Sequence, residues 1–224
     1  MQNINLDQYL EAELPDSNSE NLDLRDLITA ISKATISIAK DTRITGLKKI
    51  RGSLNKINVQ GEQVKILDEL SNDKLLKALS QCPSCSGFAS EELEEPVLYN
   101  STSRFMVVAD PLDGSSNINV NMPIGTIFGV IRNTDYDKSS FIKSGRYYVS
   151  AGYSLYGPSD IFVLTINNKV VEFTLEPESE QYYLTRSDIK VPKEGSIYSI
   201  NEGNFKVWDS RIKKWNLSTK NPQG

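Results

Sequence analysis

Phe105-Met106-Val107-Val108-Ala109-Asp110-Pro111-Leu112-Asp113-Gly114-Ser115-Ser116-Asn117 is the stretch on which the reading of this chain turns. Its first five residues are apolar and strand-like, and two carboxylates three positions apart stand where that strand runs out. Gly114 permits a tight turn, and the amides and two hydroxyls that follow are suited to surrounding a phosphate. Acids beside an anion cradle repel the anion unless a cation lies between them. The stretch therefore implies a metal ion bridging protein carboxylates to a phosphate.

Just upstream lies a second acidic knot, Ser90-Glu91-Glu92. Adjacent glutamates have three readings: a solvated charge run, to which Glu94 and Glu95 belong, a metal ligand, or a general base. Next to the Asp110/Asp113 turn, the functional readings of Glu91 and Glu92 outweigh the bland one. Further upstream, Leu24, Leu27, Ile28, Ile31 and Ile38 keep helical spacing and predict a helix over 22–40, with Asn21 or Asp23 at its cap. Ile66, Leu67, Leu70, Leu75, Leu76 and Leu79 mark a second helix, and residues 46–61 between them read as a loop. Asp68, near the start of the second helix, would at the least favour the helix dipole.

From residue 105 onward the pattern changes to strands, expected at 105–109, 124–131, 147–155, 161–166, 169–175 and 182–184. Asn167-Asn168 reads as a hairpin turn, and Tyr153 and Tyr156 as sheet packing. Helices first and strands after them give a layered α+β fold, a helix layer packed on a mainly antiparallel sheet. The first domain is expected over 1–186. Residues 187–224, with one strand at 197–200 and a polar extension, are too few to close a core, so a second α/β domain is expected to be incomplete.

Composition removes whole classes of chemistry. The 224 residues are 38% hydrophobic and 24% charged, which fits a globular protein. A net charge of -4 argues against nucleic acid or an anionic membrane as partner. No secretory signal and no apolar run long enough to span a bilayer is read, so the cytoplasm is the default compartment. There is no histidine, which excludes Ser-His-Asp and Cys-His catalysis and His-ligated zinc. Cys82 and Cys85 form a lone C-x-x-C, read as two thiols in a loop. A catalytic metal must then be held by oxygen, as magnesium, manganese and calcium are.

The chain resembles the class I fructose-1,6-bisphosphatases. The resemblance runs through Gly61 to Asp68, Ser90-Glu91-Glu92, Asp110 to Ile118, Ile124-Gly125-Thr126-Ile127-Phe128-Gly129, Ala151-Gly152-Tyr153 and Ser199-Ile200-Asn201-Glu202-Gly203-Asn204, in that family's order. It covers nearly the whole chain from Asp23. It implies hydrolysis of the 1-phosphate of fructose 1,6-bisphosphate to fructose 6-phosphate. Glu91, Asp110, Asp113 and the Leu112 carbonyl would ligate Mg2+, with Mn2+ the other candidate. Asp68 and Glu92, with Glu91, would orient or deprotonate the attacking water. Asp113-Gly114-Ser115-Ser116 would hold the 1-phosphate, and Asn201, Glu202, Gly203 and Asn204 would face the 6-phosphate end. As a plainer reading, Ser115 and Ser116 would cap a helical turn, and Asn201 would be a turn residue.

The resemblance also implies a homo-oligomer, a tetramer in the family. It implies further ligands from a second domain that nothing in residues 205–224 replaces. Asn119 stands where the family usually has aspartate. Arg104 and Phe105 stand where a Lys-Tyr pair is common, although Arg132 matches, so AMP inhibition is not expected. Two other functions fit the same residues: a non-catalytic remnant or oligomer partner, and a phosphatase of sedoheptulose bisphosphate or an inositol phosphate.

Overall fold

The computed structural model describes residues 4–48, 53–57, 63–195 and 197–220. It divides into two units, Met1–Ile189 and Lys190–Gly224. In the first, α1 (Leu6–Glu13) opens on a capping box between Asn5 and Gln8. The spaced aliphatics become α2 (Ser19–Arg43), whose buried face carries Leu24, Leu27, Ile28, Ile31 and Ile38. Its cap is Asn18 rather than Asn21 or Asp23: the Asn18 side chain accepts the Asn21 N–H at 2.8 Å. The apolar pattern begins one turn inside the helix, because the first turn is polar and leaves its amides to the cap.

The segment expected as a loop over 46–61 is only partly so. It holds a short α3 (Thr45–Lys48) and β1 (Ser53–Ile57), which pairs antiparallel with β2 (Gln63–Lys65); the rest of that expectation falls outside the described residues. The second helix is α4 (Ile66–Ser80), fastened to α2 by Lys74, which pairs with Asp41 and donates to the Ser37 carbonyl.

Eight strands then form one sheet: β3 (Cys85–Ser90), β4 (Val97–Leu98), β5 (Phe105–Asp113), β6 (Ile124–Arg132), β7 (Tyr148–Tyr156), β8 (Asp160–Ile166), β9 (Lys169–Glu176) and β10 (Gln181–Arg186). Their order across the sheet is β10-β9-β8-β7-β6-β5-β3-β4. Each pairing is antiparallel except β3 with β5. Asn167 and Asn168 both take positive φ, 48° and 60°, as a two-residue hairpin turn requires. One sheet face (Phe88, Phe105, Phe128, Phe162 and Phe173 among others) packs with Leu10, Leu27, Ile31, Leu67 and Leu75 of the helices into a single core. On the other face Met106 and Ile131 are buried, whereas Ile127, Tyr153 and Leu155 are exposed. Tyr156 packs inside as expected; Tyr153 looks outward.

In the second unit no strand forms at 197–200. An extended segment becomes a strand only by pairing, and no neighbour pairs with it among the described residues. The unit consists instead of a 3-10 turn at Glu202–Val207 and an unexpected helix, α5 (Ser210–Lys220). Asp209 starts that helix: its carboxylate accepts the Arg211 N–H at 2.8 Å and its carbonyl the Lys213 N–H at 3.1 Å. Among the described residues no helix is long and apolar enough to cross a membrane.

Candidate active site

β3 and β5 run in the same direction with Ser90 opposite Ala109, so both deliver their next residues to the same end of the sheet. Those residues are Glu91 and Asp110. The Glu91 N–H donates to the Ala109 carbonyl at 3.2 Å, which extends the pairing by one step and holds the two side chains side by side. Their carboxyl groups share a hydrogen bond, and the Asp110 pKa is pushed up to about 7. Burial is the largest cause, followed by the Glu91 charge; the Leu112 N–H, 3.0 Å from Asp110 Oδ1, pulls the other way. Asp113 adds further repulsion. Two acids sharing a proton in this way mark a place where a cation would replace the proton.

A bulge aims the rest of the turn. Asp110 faces Ile127 and Asp113 faces Gly125, so Pro111 and Leu112 together oppose Thr126 alone. Pro111 has no N–H to give to a ladder. The Pro111 carbonyl is satisfied instead by a side chain: the Thr126 hydroxyl donates to it at 2.8 Å. Gly114 follows at φ 82°, a conformation that favours glycine, and starts a 3-10 helix over Ser115–Val120. Neither Ser115 nor Ser116 serves as its cap; Gly114 occupies that position, with no side-chain cap bond.

A profile described as the N-terminal domain of fructose-1,6-bisphosphatase matches residues 6–187. The chain belongs to the fructose-1,6-bisphosphatase family. It is 45% identical to the class 1 fructose-1,6-bisphosphatase of Sulfurihydrogenibium sp. (strain YO3AOP1) over 196 residues, 86% of this chain and 61% of that relative. It is 38% identical to the class 1 enzyme of Acinetobacter baumannii (strain ATCC 17978) over 217 residues, 96% of this chain and 66% of the relative. The chain thus spans less than two thirds of the length of these relatives. Its fold superposes on the crystal structure of Leishmania major fructose-1,6-bisphosphatase in holo form with a TM-score of 0.91 at 32% identity, covering 100% of this chain and 70% of that one.

Of the family-matched residues, Glu91 and Asp110 meet, with Asp113 close enough to repel Asp110. Asp68 lies buried in the first turn of α4, a helix that packs against β3 and β5. Glu92 is half-buried and anchored through its N–H to Ser90 Oγ at 3.2 Å. Among the described residues, no three acidic or cysteine side chains converge into a metal shell. Asn201 to Asn204 belong to the second unit. There the Asn201 side chain accepts the Gly203 N–H at 3.0 Å, and Glu202 pairs with Lys220 at 2.5 Å.

Sequence reading missed β3 and Thr126. Strand β3, Cys85-Ser86-Gly87-Phe88-Ala89-Ser90, is made mostly of small residues because its neighbours press close. A Cβ at Gly87 would lie 3.0 Å from the Val97 carbonyl and 3.1 Å from the Phe141 ring. The signal for Thr126 was the proline: a proline within a strand marks a break in the ladder, where a backbone carbonyl calls for a side-chain donor.

Proposed function

We propose that the chain carries the metal-binding and 1-phosphate-binding half of a fructose-1,6-bisphosphatase site and catalyses hydrolysis of the 1-phosphate of fructose 1,6-bisphosphate to fructose 6-phosphate. The observation that carries this reading is the hydrogen-bonded Glu91–Asp110 pair at the ends of the parallel strands, one residue from a bulged turn that leads to Gly114. The donor set fits a hard divalent cation: carboxylate and carbonyl oxygens, in a chain without histidine. Glu91, Asp110, Asp113 and the Leu112 carbonyl would hold Mg2+, or Mn2+ in its place. Such an ion, when bound, neutralises phosphoryl oxygens and lowers the pKa of water.

The chain's own residues have distinct parts. The first amides of the 3-10 helix at Ser115–Val120 lack intrahelical acceptors and would donate to the 1-phosphate, with the Ser115 and Ser116 hydroxyls beside them. Asp68 and Glu92, with Glu91, would orient or deprotonate the attacking water. By resemblance Asn201, Glu202, Gly203 and Asn204 would meet the 6-phosphate end of the sugar. Glu202 is already engaged by Lys220, so that contact would come from the backbone or from Asn204. A homo-oligomer in the cytoplasm completes the proposal. AMP inhibition is not part of it: Arg104 is held by Asp23 at 2.7 Å and by Ser19, and Arg132 by Glu20.

A second reading is favoured by one observation, that no three acids converge among the described residues: a chain that binds the cation and sugar phosphate without turning it over. One experiment separates the two. Phosphate release from fructose 1,6-bisphosphate is measured with Mg2+ or with chelator, alongside equilibrium binding of the sugar phosphate. Mg2+-dependent release that falls at least about 100-fold in Glu91→Gln and Asp110→Asn supports catalysis. Binding without release supports the second reading. Neither binding nor release sinks both.

A further inference from the structure

We infer that the buried hydroxyls of Tyr156 and Thr126 form a directed relay that fixes the Pro111 carbonyl, and so positions Asp110, Leu112 and Asp113 for the cation; the inference rests on the function proposed above. Thr126 is fully buried on β6 and is the single residue opposing the two-residue bulge. A carbonyl oxygen only accepts, so Thr126 must give its one hydroxyl proton to Pro111, 2.8 Å away. The second bond of Thr126, to Tyr156 Oη at 2.7 Å, must then run from tyrosine to threonine. The order is Tyr156 O–H to Thr126 O–H to Pro111 C=O, and no other arrangement of the protons satisfies both contacts.

Behind Tyr156 the buried hydroxyls continue toward the helix layer. Ser154 Oγ lies 3.2 Å from Tyr182 Oη, and Tyr182 Oη lies 3.1 Å from Thr35 Oγ1 on α2. Packing alone does not call for these groups, since valine fills the space of threonine and phenylalanine that of tyrosine. A polar strip through an apolar core has to be satisfied at every atom or it costs stability. Here it ends on a carbonyl inside the two-residue bulge of the β5–β6 ladder. The peptide it belongs to joins Pro111 to Leu112, and the N–H of that same peptide donates to Asp110 Oδ1 at 3.0 Å, so its tilt sets where the Asp110 carboxylate and the Leu112 carbonyl point. Thr126 and Tyr156 touch neither the acids nor a substrate; they are positioning residues.

The test uses the full chain with Thr126→Val, Thr126→Ser and Tyr156→Phe. Two readouts are taken: amide hydrogen exchange across residues 110–117, and Mn2+ affinity by calorimetry. We expect Thr126→Val to speed exchange across 110–117, while β8 and β9 exchange as before, and to weaken Mn2+ binding about ten-fold. Thr126→Ser, which restores the hydroxyl, should recover both, and Tyr156→Phe should fall between. Wild-type exchange and affinity in Thr126→Val overturn the inference; should that variant fail to fold, the same result in Tyr156→Phe overturns it. If the unmodified chain binds no Mn2+, the proposed function falls. The exchange data then decide on the relay alone: acceleration upholds it as the clamp of the bulge, and no change removes it.

Discussion

Asp110 is the residue whose protonation the fold disturbs most usefully. Its carboxyl is raised from 3.8 to about 7, so the folded chain keeps a proton that the unfolded chain has released. Between those values the unfolded state is the more ionised, and stability falls as pH climbs through about 7. In chelator, the melting temperature of the chain should therefore drop between pH 5 and pH 8, a window in which no histidine titrates. Asp110→Asn should flatten that drop, and a flat profile in the unsubstituted chain would refute the crowding of Glu91 and Asp110. The acids themselves were legible from sequence, since carboxylates at fixed spacing before a Gly-Ser turn have few other uses. Thr126 was not, because a threonine inside a strand is what β-propensity alone would place there.

At the scale of elements, α2 depends on a cap that apolar spacing does not reveal. Asn18 lies a full turn before the first core residue, Leu24, so periodicity could mark the helix and not its end. Replacing Asn18 with alanine should cost about 1 kcal/mol, measured by urea unfolding. The same change at Asn21, which supplies only its backbone N–H to that cap, should leave the cap bond intact. Periodic elements such as α2, α4, β8 and β9 were readable because their apolar residues repeat with a clear period. Strand β3 was not, since a parallel strand buried among close neighbours carries small residues in place of an alternating pattern. Helix α5 was hidden for the opposite reason: Ser210-Arg211-Ile212-Lys213-Lys214 is polar nearly all round.

For the whole molecule, every residue of the hydrophobic core lies within Met1–Ile189. A chain ending at Ile189 should accordingly keep one cooperative thermal transition, within about 5 °C of the full chain. Loss of that transition would show that residues 190–224 are needed for the fold. The helix-then-strand order of the sequence was enough for a layered α+β class. It was silent on the insertion of β3 beside β5, a pairing that no local pattern encodes.

That parallel pair also sets an order of events as the chain folds. From β7 to β10 each strand is joined to the next by a short turn, and each pairs with the strand before it, so these contacts close small loops. β3 reaches β5 only around the intervening β4 and its flanking loops, with Cys85 opposite Phe105, and α4 packs against both. A longer closure than those of the β7–β10 turns loses more chain entropy before it gains contacts. Pulse-labelled exchange should thus find the β7–β10 meander protected before the carboxylate corner, so that ions added early in refolding meet a chain that has no place yet to hold them.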